Sequence, residues 1–287
     1  MVAAQKLDAR TFDDLLREQN PFESADPVFD LEQIRLVTPA AMVQLAAACH
    51  SLAQLGRAAS LRIDDDGVRS YLVRAGFVDA IEDVATIIPP IASGNLYRLR
   101  QGMSPMLIEL TTLRSGASLP NLLEKIVWVL RHRLKYRKHD AFDAVTAISE
   151  IAQNTFDHNS AAVGFLAMQV YGKGVGRFLE IGVGDCGDGL ATTLRRNPKN
   201  PAIQSDREAI QMAIRQGTSE HDDPTRGTGL YHLLDITYKH KGGVQIRSGD
   251  AKIYYRMDRR QGYSFTVPSM RGVQIALTLR TKAAVAA

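Results

Sequence analysis

Between residues 29 and 85 the apolar residues switch back and forth between a period of two and a period near 3.6, and that alternation restricts the chain to few folds. "FDLEQIRLV" alternates apolar and polar residues and is expected as a strand. "TPAAMVQLAAACHSLAQLG" is expected as a helix, with Thr38 as N-cap, Pro39 in the first turn and Gly56 as the stop. "AASLRI" is a second strand, and "DDDGVRSYLVRAGF" a second helix with acids where the helix dipole favours them. Parallel strands cannot be joined by tight turns and need a helical crossover, so this order implies a parallel α/β unit ending near residue 85.

The rest of the chain has a different texture. Residues 1–28 are polar and mixed, an N-terminal arm whose first nineteen residues suit a short amphipathic helix. "IIPPIASGN", residues 87–95, is rich in Pro, Gly and Ser and marks a boundary, which gives an arm (1–28), a small α/β unit with its linker (29–95) and a larger domain (96–287). In the larger part "MLIELTTL" is a strand, residues 120–137 and 140–158 are two helices, and "AVGFLAMQVYG" with "GRFLEIGVGD" forms a hairpin. "SDREAIQMAIRQG" has a capping box, Ser205 to Glu208, with Gly217 as its stop. "GLYHLLDITYKHKGG" is a further helix, and "GVQIRS", "AKIYYRM" and "RGVQIALTLR" are three strands of a mostly antiparallel sheet.

Composition narrows the function classes. With 45% hydrophobic and 23% charged residues, the chain can build a proper core. No apolar run is long enough to span a bilayer, and the N-terminus carries acids in place of a signal-peptide apolar segment. Two cysteines, Cys49 and Cys186, exclude a disulfide framework and a four-cysteine zinc site, so the expected location is the cytoplasm. A net charge of +4 is only mildly basic. The densest run, "RHRLKYRKH" at 131–139, reads as the solvated face of a helix, which disfavours nucleic acid as a partner.

Three short stretches carry chemistry. In "ISEIAQNTFDHN", Glu150, Asn154 and His158 fall at i, i+4 and i+8 and share one helix face, while Ile148, Ile151, Ala152 and Phe156 face a core. "DCGDG", Asp185 to Gly189, follows an apolar strand, so Asp185 stands at a sheet edge where Gly187 and Gly189 permit a sharp turn and close ligand approach. Such a carboxylate can accept a hydrogen bond from an exocyclic amine. "RGTGL", Arg226 to Leu230, precedes a helix whose free N–H groups suit phosphate. An asparagine oxygen suits Mg²⁺, and a glutamate one turn away can take a proton from a nucleophile. Each piece alone is ordinary; their order and spacing together are specific.

On these boxes, "EIAQN", "DCGDG" and "GTGL", residues from about 100 to 287 resemble the GHKL ATPase superfamily of gyrases, heat-shock chaperones, mismatch-repair ATPases and histidine kinases. The Glu-x3-Asn-x3-His spacing is most similar to that of the anti-sigma factor serine kinases. The resemblance implies the Bergerat fold, an α/β sandwich binding ATP and Mg²⁺ under a mobile lid, here about residues 191–226. It implies Asp185 at the adenine amine, Asn154 on Mg²⁺ and Glu150 as general base, with Gly187, Gly189, Gly227 and Gly229 shaping the pocket and Arg226 and Thr228 beside phosphate. Cys186 is expected to be a packing residue. The chain departs from the superfamily in lacking a phosphoacceptor histidine motif and in carrying Gly272-Val273 where a Gly-Thr pair often supports the adenine site.

The stretch from "DLEQIRLV" to "SYLVRAGF" resembles the latter half of a STAS domain, the fold of anti-sigma factor antagonists. Pro39 and Ala40 stand where those proteins carry a phosphorylatable serine, so a docking or scaffold role is implied. The expectation is therefore a small N-terminal STAS-like α/β unit before a Bergerat-type domain. The function expected is a Mg-ATP-binding regulatory protein, a Ser/Thr kinase or slow ATPase that couples nucleotide state to a protein partner of sigma-factor-like or other type. Alternatives are a nucleotide-gated interaction module without turnover and, from a different class, a DNA-associated ATPase. The superfamily commonly forms homodimers, and a homodimer is among the assemblies implied.

Overall fold

A computed structural model of the chain describes residues 6–91, 107–157, 163–200, 202–215, 229–256 and 261–281. It is a mixed α/β protein. Its N-terminal part runs β1 (Lys6–Leu7), α1 (Thr11–Gln19), β2 (Val28–Asp30), β3 (Leu36–Val37), α2 (Pro39–Gln54), β4 (Ala59–Arg62), α3 (Asp66–Arg74), α4 (Phe77–Ile81) and β5 (Ala85–Ile88). The remainder runs β6 (Leu107–Leu113), α5 (Leu119–His132), α6 (Lys138–Asp157), β7 (Gly164–Tyr171), β8 (Phe178–Asp185), α7 (Gly189–Arg195), α8 (Asp206–Ala213), α9 (Gly229–Lys239), β9 (Gly243–Arg256) and β10 (Gln261–Arg280).

The parallel unit is present with two corrections. Strands β2, β4 and β5 pair in parallel in that spatial order, so a third strand at residues 85–88 extends the unit past the expected end. "FDLEQIRLV" is broken by a turn. Asp30 Oδ1 accepts the Glu32 N–H at 3.0 Å, the Ile34 N–H closes onto the Leu31 carbonyl, and the buried residues are Phe29, Leu31, Ile34 and Val37. The expected helices form, except that the one expected over 120–137 stops at His132 and "DDDGVRSYLVRAGF" is broken at Gly76, φ 70°, between α3 and α4. Asp65 caps α3 by accepting the Val68 N–H at 2.8 Å, and Ser205 caps α8 by accepting the Glu208 N–H at 3.2 Å. The expected stop at Gly217 lies outside the described residues.

The five-stranded sheet is antiparallel throughout, in the order β6-β7-β8-β10-β9. The three late strands are instead two long ones. "GVQIRS" and "AKIYYR" are halves of β9, joined through Gly249 at φ 57°; Met257 lies outside the described residues. β10 extends back through "QGYSFTVPSM", with register shifts between Thr266, Met270 and Val273. Such irregularities bend a ladder. Tyr254 lies eleven residues beyond Gly243, about 36 Å along an extended strand. Yet a Cβ on Gly243 would meet the Tyr254 hydroxyl at 3.1 Å, so the distal half of the β9–β10 hairpin doubles back over the proximal half.

Each face of this sheet carries its own core. Helices α5–α9 cover one face, where Ile126, Val129, Ile148, Ile151 and Ala152 meet Leu166, Met168, Ile181 and Val183. The other face receives the N-terminal part, with Phe165, Ala167 and Cys186 packing into one core with Met42, Val43 and Leu45. Helix α2 is buried nearly all round because it lies between β4 on one side and β7, β8 and β10 on the other. It approaches β8 closely enough that a Cβ on Gly182 would stand 2.7 Å from Ala40 Cα, and one on Gly184 would stand 3.0 Å from a Val43 methyl. Thr38 occupies the N-cap position of α2 without a side-chain capping bond. The sheet supplies the acceptor instead: Glu180 on β8 takes the Ala40 N–H at 3.2 Å. Burial pushes the Glu180 carboxyl up, opposed by the hydrogen bond from the Ala40 N–H. No helix among the described residues is long and apolar enough to cross a membrane.

Candidate functional site

Helix α6 packs onto the sheet through Ile148, Ile151 and Ala152, with Phe156 partly buried beside them, as its spacing predicts. Its polar stripe therefore points away from the core. Glu150 is half-buried and Asn154 exposed; His158 lies outside the described residues.

Two contacts fix where that stripe sits. At the far end of α6, Thr155 is buried and donates to the Ala152 carbonyl at 2.7 Å. It lies so close to β7 that a Cβ on Gly164 would fall 2.1 Å from its hydroxyl oxygen. Gly164 pairs across the ladder with Asp185. Directly opposed residues share a face, so the Asp185 side chain projects on the helical side, one strand over from Thr155. One and a half turns earlier, Glu150 lies against the start of α9. A Cβ on Gly229 would come within 3.0 Å of both Glu150 Cβ and Glu150 Oε2. Glycine at 229 is what lets the helices approach this closely.

Asp185 is the most perturbed group of this cluster. Its Oδ1 accepts the Gly187 N–H at 2.8 Å. Burial raises its carboxyl to about 7, against hydrogen bonds from the Gly187 and Val273 N–H groups that favour the ionised form, while the nearby Asp188 charge adds to the rise. Asp188 in turn pairs with Arg196, and with Arg271 at 3.3 Å. The left-handed turn expected after β8 occurs at Gly189, with φ 78°, where a Cβ would approach the Ser248 hydroxyl at 3.0 Å. At Gly187 the useful feature is the N–H.

Two residues outside the sequence-based set, Ser248 and Gln274, complete the turn with Gly272. Ser248, fully buried, accepts the Leu190 N–H at 2.9 Å and so satisfies the first turn of α7. Gln274 is buried and donates from Nε2 to the carbonyls of Asp185 and Arg271, both at 2.9 Å. Gly272, with φ 83°, sits where any Cβ would lie 2.0 Å from the Asp185 carbonyl oxygen. The glutamine in an otherwise apolar strand was the one available signal; the serine carried none. Gly272-Val273 thus touches Asp185 through backbone alone.

Arg226, Gly227 and Thr228 lie outside the described residues. The lid expected at 191–226 needs correction over its first part. Residues 191–195 and 206–213 are helical, and Leu194, Ala209, Ile210 and Ala213 are buried in the core of the helical face. A surface segment cannot bury that much apolar area and still serve as a free flap. Cys186 is the packing residue expected: it is buried, receives the Gln54 amide at 3.3 Å, and burial pushes its thiol up.

The described part of the site holds a strand-end carboxyl, a helix-borne carboxylate, an amide oxygen one turn beyond it and the N-terminus of α9. No group of three or more His, Cys, Asp or Glu that could hold a metal ion occurs among the described residues. No protein-family model matches the chain, and neither does any curated protein.

Proposed function

We propose that this protein binds Mg-ATP at the cluster formed by α6, the end of β8 and the start of α9, in a Bergerat-type sandwich, and that it acts as a regulatory kinase or slow ATPase of anti-sigma-factor type. The observation that carries this reading is the convergence of three boxes separated by some 80 residues. Glu150 touches Gly229, and Thr155, next to Asn154, touches the cross-strand partner of Asp185. Surface pairs and casual turns have no reason to assemble at one end of one sheet.

Bound Mg-ATP supplies a transferable γ-phosphoryl group. Asp185, held by the Gly187 and Val273 N–H groups, accepts a hydrogen bond from an exocyclic amine in its ionised form. Asn154, exposed beyond Glu150, offers a neutral oxygen to the cation, which keeps its remaining waters. The first turn of α9 offers backbone N–H groups to phosphate. Glu150, against that turn, takes the proton of an acceptor hydroxyl or orients a water. A Ser or Thr on a protein partner and a water are both within this scheme. The N-terminal STAS-like unit, packed on the opposite face, is the surface that carries nucleotide state to that partner.

Calorimetry with a non-hydrolysable ATP analogue and Mg²⁺ tests the assignment. Asp185→Asn and Gly229→Ala should each weaken binding at least about tenfold, the loss of one buried hydrogen bond or of the close approach. Parent-like affinity in both variants would sink it. Glu150→Ala should keep affinity and lose γ-phosphoryl turnover; a parent without turnover would favour a nucleotide-gated module.

A further inference from the structure

The doubled-back hairpin encloses a cavity unrelated to the cluster above. It lies on the opposite face of the sheet, between α1, the proximal part of β9 and the returning strands, with a volume of about 840 Å³. That is the size of a small-molecule site. Six cationic side chains line it, Arg10, Arg17, Lys241, Lys252, Arg256 and Arg280, against two carboxylates, Asp13 and Asp14. The excess of four positive charges equals the formal net charge of the whole chain.

Both carboxylates are already engaged. Asp13, 2% exposed, accepts from the fully buried Arg247 at 2.9 Å and from Lys252 behind the wall, while Asp14 pairs with Arg17 at 2.8 Å. Arg10, Lys241 and Arg280 form no ion pair among the described residues. Arg10 is instead held over the Tyr254 ring at 4.8 Å, which aims its guanidinium along the wall. Lys252, nine-tenths buried, is steadied over Phe265 at 5.5 Å. Cations converging in a concave site with low-dielectric walls reinforce one another's field, and a multiply charged anion gains more there than on a flat surface.

We infer that this cavity binds a multiply phosphorylated small molecule. One feature favours that class over nucleic acid: the cations converge inward from α1, the α9–β9 corner and the hairpin, whereas a duplex needs them spread along an open stripe. Because α1 and the hairpin supply opposite walls, occupancy ties the N-terminal arm to the sheet.

Calorimetry with sodium tripolyphosphate at low salt tests this, on the full chain and on the exposed-rim variant Arg10→Ala/Arg280→Ala. The parent should bind one equivalent with micromolar affinity or better, and the variant at least about tenfold more weakly with an unchanged melting temperature. Absence of binding to the parent, or equal affinity in the rim variant, would overturn the inference. So would tighter, rim-dependent binding of duplex DNA than of tripolyphosphate.

Discussion

The two faces of the five-stranded sheet are built by different physics. The helical face is dominated by apolar packing, in which α5–α9 lay periodic Leu, Ile, Val and Ala onto alternate strand residues, with Asp140 and Asp185 the carboxyls buried on it. The N-terminal face mixes apolar packing around α2 with polar contacts between residues far apart in sequence. Glu180 caps α2, Gln245 donates to the Ala9 carbonyl at 2.7 Å, Tyr71 donates to Gln169 at 2.6 Å, and Arg247 and Lys252 share Asp13. A core of the first kind tolerates volume-conserving exchange. One of the second kind depends on each partner being present, since an unpartnered buried charge costs far more than the pair contributes.

The largest effect should come from Asp13→Ala. It strands Arg247 and Lys252 in the interior and should cost about 3–5 kcal/mol in chemical denaturation. Replacing all three together by apolar residues, as Asp13→Leu/Arg247→Met/Lys252→Met, should cost less than the single change. If the triple variant is the weaker protein, the contrast between the faces is wrong.

Next comes Gly182→Ala. Its new methyl would stand 2.7 Å from Ala40 Cα and 2.9 Å from the Pro39 carbonyl, both backbone atoms, so α2 must shift at a cost of about 1–3 kcal/mol. On the helical face a capping change is milder: Ser205→Ala should cost about 1 kcal/mol, read from the same denaturation curves.

Asp185 sets the pH signature. Its folded carboxyl, near 7, lies above its ordinary value of 3.8, so the fold favours the protonated acid. The associated stability is present below pH 4 and is lost as pH rises through 7. Asp185→Asn should remove that part of the decline, seen as a flatter melting temperature between pH 4 and 7. Nucleotide affinity should run the other way, rising with pH through 7 as the accepting carboxylate forms, with proton release detectable by calorimetry in buffers of different ionisation enthalpy.

Local pattern carried much of this architecture. The helices at 39–54, 66–74, 119–132 and 138–157, the β7–β8 hairpin and the antiparallel sheet all follow from period and turn chemistry, because each element buries one face and its residues repeat accordingly. The boxes around Glu150, Asn154, Asp185 and Gly229 were legible for a related reason: close approach demands glycine, and glycine beside a strand-end carboxylate is visible in one dimension. The break at residues 31–35 was hidden because Phe29 with Leu31, and Ile34 with Leu36, each imitate part of an alternating strand, and the short β5 because residues 85–88 run into a Pro-rich stretch.

What the sequence determined by itself was therefore the set of elements and the residues able to carry chemistry. Only the tertiary structure decided how the N-terminal part meets the sheet, that Glu180 and not Thr38 caps α2, that much of the expected lid belongs to the core, and that β9 and β10 fold back to gather basic side chains from three separate segments. The reason is range. Periodicity records what a residue needs from neighbours within a few positions, whereas the pairing of Asp13 with Arg247, or of Glu150 with Gly229, is settled by where whole elements come to rest.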